Sequence, residues 1–231
     1  MKGSLVGDRR GPAVPADVAR IIVVGAGGFG REALNWARDA WPERASRIAG
    51  FLSAEVGVLV DRGSGLPVLG NPDSFVPDRE DRLVLAIGIP GVRRRVAESL
   101  LGRGAQFLTL VHPTAVVAPT ATIGIGSVVC PHAVVSDAAR LGRFTLVNYH
   151  ASTAHDAMTG DFAVLSPYAT LGGGAAVGDD VFLGLHASVG PRISVGEGSK
   201  VAANSSALAD VPPHSLVHGV PGRISPLLDP E

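Results

Sequence analysis

Residues 111–206 repeat every six residues and read VHPTAV VAPTAT IGIGSV VCPHAV VSDAAR LGRFTL VNYHAS TAHDAM TGDFAV LSPYAT LGGGAA VGDDVF LGLHAS VGPRIS VGEGSK VAANSS. The first position is aliphatic in 14 of the 16 units, the second is glycine in 8, and the fifth is small or β-branched in all. Such a hexapeptide repeat is typical of a parallel β-helix. Three units would form one triangular coil, with the aliphatic residues inside, glycine at the corners, and coils stacked about 4.8 Å apart.

Composition narrows the possible functions of the chain. It has 231 residues and a net charge of −1, and no basic stripe that would bind nucleic acid. The sequence contains no run of 18 apolar residues, so no membrane span is predicted. The first twenty residues lack the apolar core of a secretory signal. The single Cys130 rules out an internal disulfide and agrees with a reducing compartment, so we predict a cytoplasmic protein.

The N-terminal part has a different pattern. RIIVVGAGGFGREALNWARDAW predicts a buried strand over 21–24, a glycine turn and a helix. Further strands are predicted at 47–52 and 82–88, and a helix at 92–104, which together indicate a small parallel α/β sheet. The predicted organisation is a flexible tail (1–19), an α/β domain (20–109), a β-helix (110–211) and a C-terminal tail (212–231).

The glycine turn carries a possible phosphate site. Gly25-x-Gly27-x-x-Gly30 follows a strand and opens a helix, where backbone amides and the helix dipole can hold a phosphate. An NAD site would have an acid after the second strand, but Ser53 stands there. A domain of this size suits a mononucleotide or a nucleotide-sugar. A glycine turn without a ligand is the alternative.

Several motifs together resemble one protein family: GAGGFGRE (25–32), the stretch from Ala86 to Arg93, VHPTA (111–115), Asn148 with His155 seven residues later, and GVPGRI (219–224). They resemble the bacterial sugar acetyltransferases of the sialic acid O-acetyltransferase type, which include N-acetyltransferases of nucleotide-linked 4-amino-sugars. The resemblance implies a left-handed β-helix, a homotrimer, a nucleotide-sugar in the α/β domain, and acetyl-coenzyme A in the groove between neighbouring β-helices.

The resemblance also implies roles for particular residues. The expected catalytic residues are His155, Asp156 and Gly173. The acceptor is expected to bind to Gly25, Gly27, Gly28, Phe29, Gly30, Arg31, Ser53, Gly88 and Asn148. The coenzyme is expected to lie against Gly173, Leu185, His186, Ala203 and Arg223. One departure is Val164, because the family often has a second histidine at that place.

Acetyl transfer from a thioester requires a base, a donor to the oxyanion, and positioning. Histidine suits the base near neutral pH, and His155 occupies the outward third position of its unit. We predict that it takes the proton from a sugar amine or hydroxyl, that Asp156 stabilises the imidazolium, and that the Gly173 amide receives the oxyanion. The polar breaks in the inward column, Thr153 and Thr159, flank this histidine.

Other functions remain open at this point. His132, His150 and His186 share the fourth position, so we predict one outward column with Tyr168 between the last two. Histidines on a β-helix also resemble those of the γ-class carbonic anhydrases, but Thr114 stands where their third zinc ligand would be, so no metal is predicted. Further alternatives are O-acetylation of a sialic acid or glycan, and a non-catalytic protein that binds nucleotide-sugars.

Overall fold

The computed structural model describes residues 12–54 and 65–227. The described residues of the N-terminal domain form four strands, two α-helices and a 3-10 helix. In chain order they are β1 (Arg20–Val24), α1 (Gly28–Ala40), the 3-10 helix (Pro42–Arg47), β2 (Ile48–Leu52), β3 (Val68–Gly70), β4 (Asp81–Leu85) and α2 (Pro90–Gly102). The predicted parallel α/β sheet is thus confirmed, whereas the short strand β3 was not predicted.

The small sheet has the strand order β3-β2-β1-β4, with all pairs parallel. β1 is flanked by β2 on one side and by β4 on the other, so the order reverses at β1. Such a switch point leaves a crevice at the carboxyl ends of the strands, where α/β proteins bind ligands. Here the crevice lies between the turn that starts α1 and the turn that starts α2.

The second domain is a parallel β-helix, as predicted. Its strands are β5 (Leu110–Val111), β6 (Val116–Val117), β7 (Thr122–Ile123), β8 (Val128–Val129), β9 (Val134–Val135), β10 (Arg140–Leu141), β11 (Leu146–Val147), β12 (Ser152–Thr153), β13 (Met158–Thr159), β14 (Val164–Leu165), β15 (Thr170–Leu171), β16 (Ala176–Val177), β17 (Phe182–Leu183), β18 (Ser188–Val189), β19 (Ser194–Val195), β20 (Lys200–Val201), β21 (Ser206–Ala207), β22 (Ser215–His218) and β23 (Arg223–Pro226).

These strands form three faces. The first face contains β5, β8, β11, β14, β17, β20 and β22, with β23 added antiparallel at its end. The second face runs from β6 to β21 and the third from β7 to β19, each strand pairing with the one 18 residues away. Three corners join the faces. We name them after one residue each: the Asn148 corner between the first and second faces, the His155 corner between the second and third, and the Phe144 corner between the third and first.

Each repeat position has a defined structural role. First-position residues such as Val147 and Leu165 and fifth-position residues such as Ala151 fill the interior with no exposed surface. Non-glycine residues at the fourth position, from His132 to Asn204, have φ between 53° and 63°. Glycine at the second position lets coils stack closely, since a Cβ added to Gly142 would lie 2.3 Å from the Gly160 carbonyl oxygen.

The N-terminal domain packs on the first face of the β-helix. Outward side chains of this face, Leu110, Val128, Leu146 and Val164, are buried in one cluster with core residues of the α/β domain. At the Phe144 corner, Phe107 packs edge-on against Phe144, with the ring centroids 5.0 Å apart. The two domains therefore share a continuous apolar core.

The predicted tails are partly structured. Val14 and Val18, within the predicted flexible tail, are buried against the α/β domain. In the predicted C-terminal tail, β22 continues the first face in parallel and β23 pairs with β22. Within the described ranges, no helix is long and apolar enough to cross a membrane.

Candidate active site

The glycine turn and the turn before α2 form the walls of the crevice. Gly27 precedes α1 and Ile89 precedes α2, and no side chain of the described residues caps either helix start by a hydrogen bond. The first N–H groups of a helix have no partner within it, and the helix dipole makes that end electropositive. Two helix starts at one crevice thus provide a place for an anionic group.

The glycines in these turns have two different roles. A Cβ at Gly25 would lie 2.5 Å from the Ala86 carbonyl oxygen, and one at Gly30 would lie 1.9 Å from the Gly25 carbonyl oxygen. These two glycines are therefore required by packing within the protein. Among the residues that the structure describes, a Cβ at Gly27 or Gly88 would have nothing within 4 Å. Their positions face open space, where a ligand could approach the backbone.

The remaining predicted acceptor residues of this domain lie at different distances from the glycine turn. Gly28 and Arg31 are neighbours, since a Cβ at Gly28 would lie 3.9 Å from Arg31 Nη2. Arg31 Nη1 is buried and has no hydrogen-bond partner in the described part of the chain. Phe29 packs against the apolar interface and meets Trp36 edge-on. Ser53 follows β2, and its N–H donates to Gly70, so it lies between β2 and β3 rather than beside β4.

The predicted catalytic residues lie together at the His155 corner. His155 Nδ1 and Asp156 Oδ2 are 2.8 Å apart, and the two side chains are 69% and 68% exposed. Gly173 lies one coil below. A Cβ added to it would be 2.6 Å from His155 Nε2, so the imidazole covers the bare glycine. The second ring nitrogen is thus directed to the backbone at Gly173, while the first is held by the carboxylate.

Three of the predicted site residues are alike in the state of their backbone N–H groups. Within residues 12–54 and 65–227, the N–H groups of Gly173, Leu185 and Ala203 make no hydrogen bond. Each occupies the third position of its unit, at an outward turn. The Gly173 N–H is therefore available to a ligand oxygen beside the His155 ring, which is the arrangement needed by an oxyanion donor.

The other predicted site residues lie on a different corner. Asn148, Leu185, His186 and Ala203 all belong to the Asn148 corner, and the segment before Arg223 reaches its last coil, where the Gly222 N–H donates to Ser206. Asn148 Oδ1 accepts a 2.8 Å hydrogen bond from the Tyr149 N–H. Although Asn148 and His155 are only seven residues apart, the strand Ser152–Thr153 of the second face separates their corners.

The predicted aromatic column is confirmed at the Asn148 corner. The rings of His132 and His150 stack with centroids 5.2 Å apart, those of His150 and Tyr168 at 4.8 Å, and those of Tyr168 and His186 at 4.6 Å. His150 and His155 lie on different corners. Within the described residues, no group of three or more His, Cys, Asp or Glu side chains could hold a metal ion.

Two sequence arguments about the site change once the contacts are known. The buried hydroxyls of Thr153 and Thr159 have partners inside the coil: Thr153 donates to the Val134 carbonyl at 3.4 Å, and Thr159 accepts from the Gly142 N–H at 3.1 Å. They are explained by internal hydrogen bonds. Val164 is buried beneath the N-terminal domain on the first face, which is opposite the His155 corner.

Several polar groups near the crevice carried no spacing signal in the sequence. Arg94 bonds to Asp180 at 2.7 Å and lies over the Phe162 ring, 4.4 Å from its centroid. Burial raises the pKa of Asp180, and Arg94 opposes this shift. A cavity of about 190 Å³ adjoins the start of α2, and its lining includes Lys200 and His214. Burial raises the pKa of Cys130 well above its usual value, so this thiol stays neutral.

The domain order defines a class of protein: a hexapeptide-repeat β-helix preceded by a small parallel α/β domain with a crevice at its strand switch point. Residues 20–100 match the family of the PglD N-terminal domain. UDP-N-acetylbacillosamine N-acetyltransferase of Bacillus subtilis (strain 168) is 33% identical over 119 residues, or 47% of this chain. The matched region spans about half (50%) of that enzyme's length.

Solved structures match almost the whole chain. The acetyltransferase domain of PglB from Neisseria gonorrhoeae FA1090, in complex with acetyl coenzyme A, has a TM-score of 0.78 and 28% identity over 89% of this chain and 98% of that one. PerB from Caulobacter crescentus, in complex with CoA and GDP-perosamine, has a TM-score of 0.79 and 27% identity, covering 89% and 97%. WeeI from Acinetobacter baumannii AYE has a TM-score of 0.79 and 27% identity over 89% of this chain and 99% of that one. These matches agree with the resemblance to bacterial sugar acetyltransferases that the motifs indicate.

Proposed function

We propose that this protein transfers the acetyl group of acetyl-coenzyme A to an amine of a sugar, and that the acceptor is a nucleotide-linked amino-sugar. The observation that carries the proposal is the position of the His155 ring over Gly173, whose N–H is unused within the described residues. A base and an oxyanion donor would thus be neighbours, in a chain that over 89% of its length is similar to the acetyltransferase domain of PglB and to a GDP-perosamine N-acetyl transferase.

The reaction follows from these groups. The amine nitrogen attacks the thioester carbonyl carbon while His155 Nε2 accepts a proton from it. The oxyanion that forms receives a hydrogen bond from the Gly173 N–H, and Asp156 holds the imidazolium through Nδ1. The carbon–sulfur bond then breaks, the imidazolium returns its proton to the thiolate, and the products are an amide and free coenzyme A. No covalent acyl-enzyme is required.

The positions of the predicted residues favour a site formed by more than one copy of the chain. The acceptor crevice stands over the first face, whereas the His155 corner is opposite that face in a three-sided coil. The predicted coenzyme residues Leu185, His186 and Ala203 lie on the Asn148 corner. A site that combines these groups forms when the His155 corner of one copy faces the Asn148 corner and crevice of its neighbour. A closed ring of three such contacts gives a homotrimer, with one site at each contact.

The chemical class of the acceptor is inferred from the geometry of the crevice and from what the similar proteins bind. In the described part of the chain, the space at Gly27 and Gly88 is open, two helix starts are uncapped and Arg31 Nη1 has no partner, which suits a phosphate group. PerB was solved with GDP-perosamine, and the curated Bacillus relative is an N-acetyltransferase of a UDP-linked amino-sugar. Both observations favour an amine over a hydroxyl as the acetylated group.

The test is thiol release from acetyl-coenzyme A with a panel of nucleotide-linked amino-sugars, followed by mass spectrometry and NMR of the product. We expect turnover with at least one 4-amino-sugar and acetylation at nitrogen. His155→Ala should lower kcat by about 100- to 10,000-fold. The matched control is His132→Ala, another exposed histidine, which lies outside the His155 corner.

Three results would contradict parts of the proposal. Acetylation at a hydroxyl would assign the chain to O-acetylation. Nucleotide-sugar binding without any thiol release would make it a non-catalytic binding protein. A monomer in solution with full activity would exclude a site formed between copies.

A further inference from the structure

Arg93 is a buried charge at the junction of the two domains. It lies in the first turn of α2 and has no exposed surface. Its Nη1 donates to the carbonyl oxygens of Leu85 at 3.0 Å and Ile87 at 2.8 Å, and its Nε donates to the Phe144 carbonyl oxygen at 2.6 Å. One guanidinium therefore joins the nearby segment from Leu85 to Ile87 to the Phe144 corner, which is 51 residues away from Arg93 in sequence.

The Leu85 and Ile87 carbonyls belong to the crevice wall, and the Phe144 carbonyl belongs to the β-helix. Leu85 ends β4 and Ile87 precedes Gly88 in the turn that leads to α2. Phe144 is a corner residue whose ring stacks on that of Phe162, with centroids 5.0 Å apart. Among the described residues, Gly88 faces open space on the crevice side of this turn. The Arg93 hydrogen bonds lie on the opposite side, where they connect the turn to the β-helix.

The geometry indicates a role beyond filling the interface. Arg93 is bonded only to neutral carbonyls, and Nη2 has no hydrogen-bond partner among the described residues. Burial lowers its pKa to about 9, so the group is still charged at neutral pH. A buried charge without an acidic partner is unfavourable, and an apolar side chain would fill the space more favourably. What only a guanidinium supplies is the simultaneous grip on three carbonyls.

The adjacent Arg94 offers a natural comparison. It also connects α2 to the β-helix, through Asp180, Asp179 and the face of Phe162. None of its hydrogen bonds reaches the segment from Leu85 to Gly88. The two arginines thus separate two roles: Arg94 docks the helix, and Arg93 additionally fixes the turn.

We infer that Arg93 is a positioning residue, which holds the Gly88 turn and thereby the bound nucleotide-sugar at a fixed place relative to the β-helix. This inference rests on the proposed function. Arg93 itself lies behind the turn, so it would act through the backbone at Gly88. It should therefore influence the nucleotide-sugar and leave the coenzyme, which is assigned to the β-helix corners, unaffected.

The experiment compares Arg93→Lys with Arg94→Lys, since each keeps the charge and removes the planar fork. For Arg93→Lys we expect the KM of the nucleotide-sugar to rise about tenfold or more, with the KM of acetyl-coenzyme A within about twofold of wild type. Hydrogen exchange of the amides at 86–89 should become faster in the same variant. Arg94→Lys should change neither KM nor that exchange. Arg93→Gln keeps two hydrogen-bond donors, so its KM for the nucleotide-sugar should lie between those of wild type and Arg93→Lys.

Calorimetric titration with the nucleoside diphosphate alone separates this inference from the proposed function, because it needs no turnover. If wild type binds no nucleotide, the proposed function fails. If wild type binds and Arg93→Lys binds equally well with unchanged exchange at 86–89, the positioning role is wrong. Equal rises of both KM values, equal effects of the two lysine variants, or loss of folding in both Arg93 variants would likewise overturn it.

Discussion

Replacing Gly173 by alanine is the sharpest test of the catalytic corner. The added Cβ would lie 2.6 Å from His155 Nε2 and 2.8 Å from Cε1. Non-bonded heavy atoms keep about 3.5 Å apart, so the exposed imidazole must withdraw by about 1 Å. The backbone itself accepts alanine, because Gly173 does not have positive φ and Ala203 occupies the equivalent third position of another unit.

A shift of about 1 Å in a catalytic group lowers the rate by up to about 100-fold, which corresponds to about 2.7 kcal/mol in the activation free energy. We therefore expect Gly173→Ala to lower kcat by about 10- to 100-fold, with the melting temperature unchanged or slightly raised. Steady-state thiol release and thermal unfolding measure the two quantities.

A double-mutant cycle shows whether the effect passes through the ring. In the His155→Ala background there is no imidazole to displace, so Gly173→Ala should have almost no further effect on kcat. The reasoning is refuted if the alanine lowers kcat by the same factor in both backgrounds, or if Gly173→Ala alone stays within about twofold of wild type.

Three further predictions concern the crevice and the core. Gly27→Ala should fold normally but weaken nucleotide binding about tenfold. Gly30→Ala should lower the melting temperature, because its Cβ would lie 1.9 Å from the Gly25 carbonyl oxygen. Calorimetric titration and thermal unfolding measure the two effects, and equal behaviour of the two variants would contradict this prediction. The single thiol, Cys130, should resist a thiol reagent in the native protein and react once in denaturant, since it is buried and neutral; fast native reaction would contradict its burial. Phe144→Ala should lower the free energy of unfolding by about 3–5 kcal/mol, because the ring packs between Phe107 and Phe162; a loss below about 1 kcal/mol in denaturant titration would mean that the corner collapses without penalty.

The β-helix could be predicted in detail because its periodicity encodes it directly. The inward columns, the glycine corners and the aromatic column from His132 to His186 all follow from counting in sixes, since each position recurs on the same side of the coil. The pairing of His155 with Gly173, which are 18 residues apart, has the same origin. Local spacing within a repeat therefore carries three-dimensional information.

Features that depend on contacts outside the repeat could not be read in this way. Asn148 and His155 are close in sequence but lie on different corners, and Thr153 and Thr159 are satisfied by carbonyls and amides of neighbouring strands. Arg93 bonds to the Phe144 carbonyl across 51 positions of sequence. Such side-chain bonds to backbone carbonyls leave no pattern of residue types, because every residue has a carbonyl.

The apolar stripe on the first face determines how the molecule unfolds. Leu110, Val128, Leu146 and Val164 point out of the coil and are covered by the α/β domain. Exposing one such side chain costs about 1.5–3 kcal/mol, so the four together represent on the order of 6–12 kcal/mol. That is comparable to the entire stability of a typical domain, about 5–15 kcal/mol. We therefore expect the two halves to unfold in one cooperative transition, and a chain truncated to either half to be strongly destabilised.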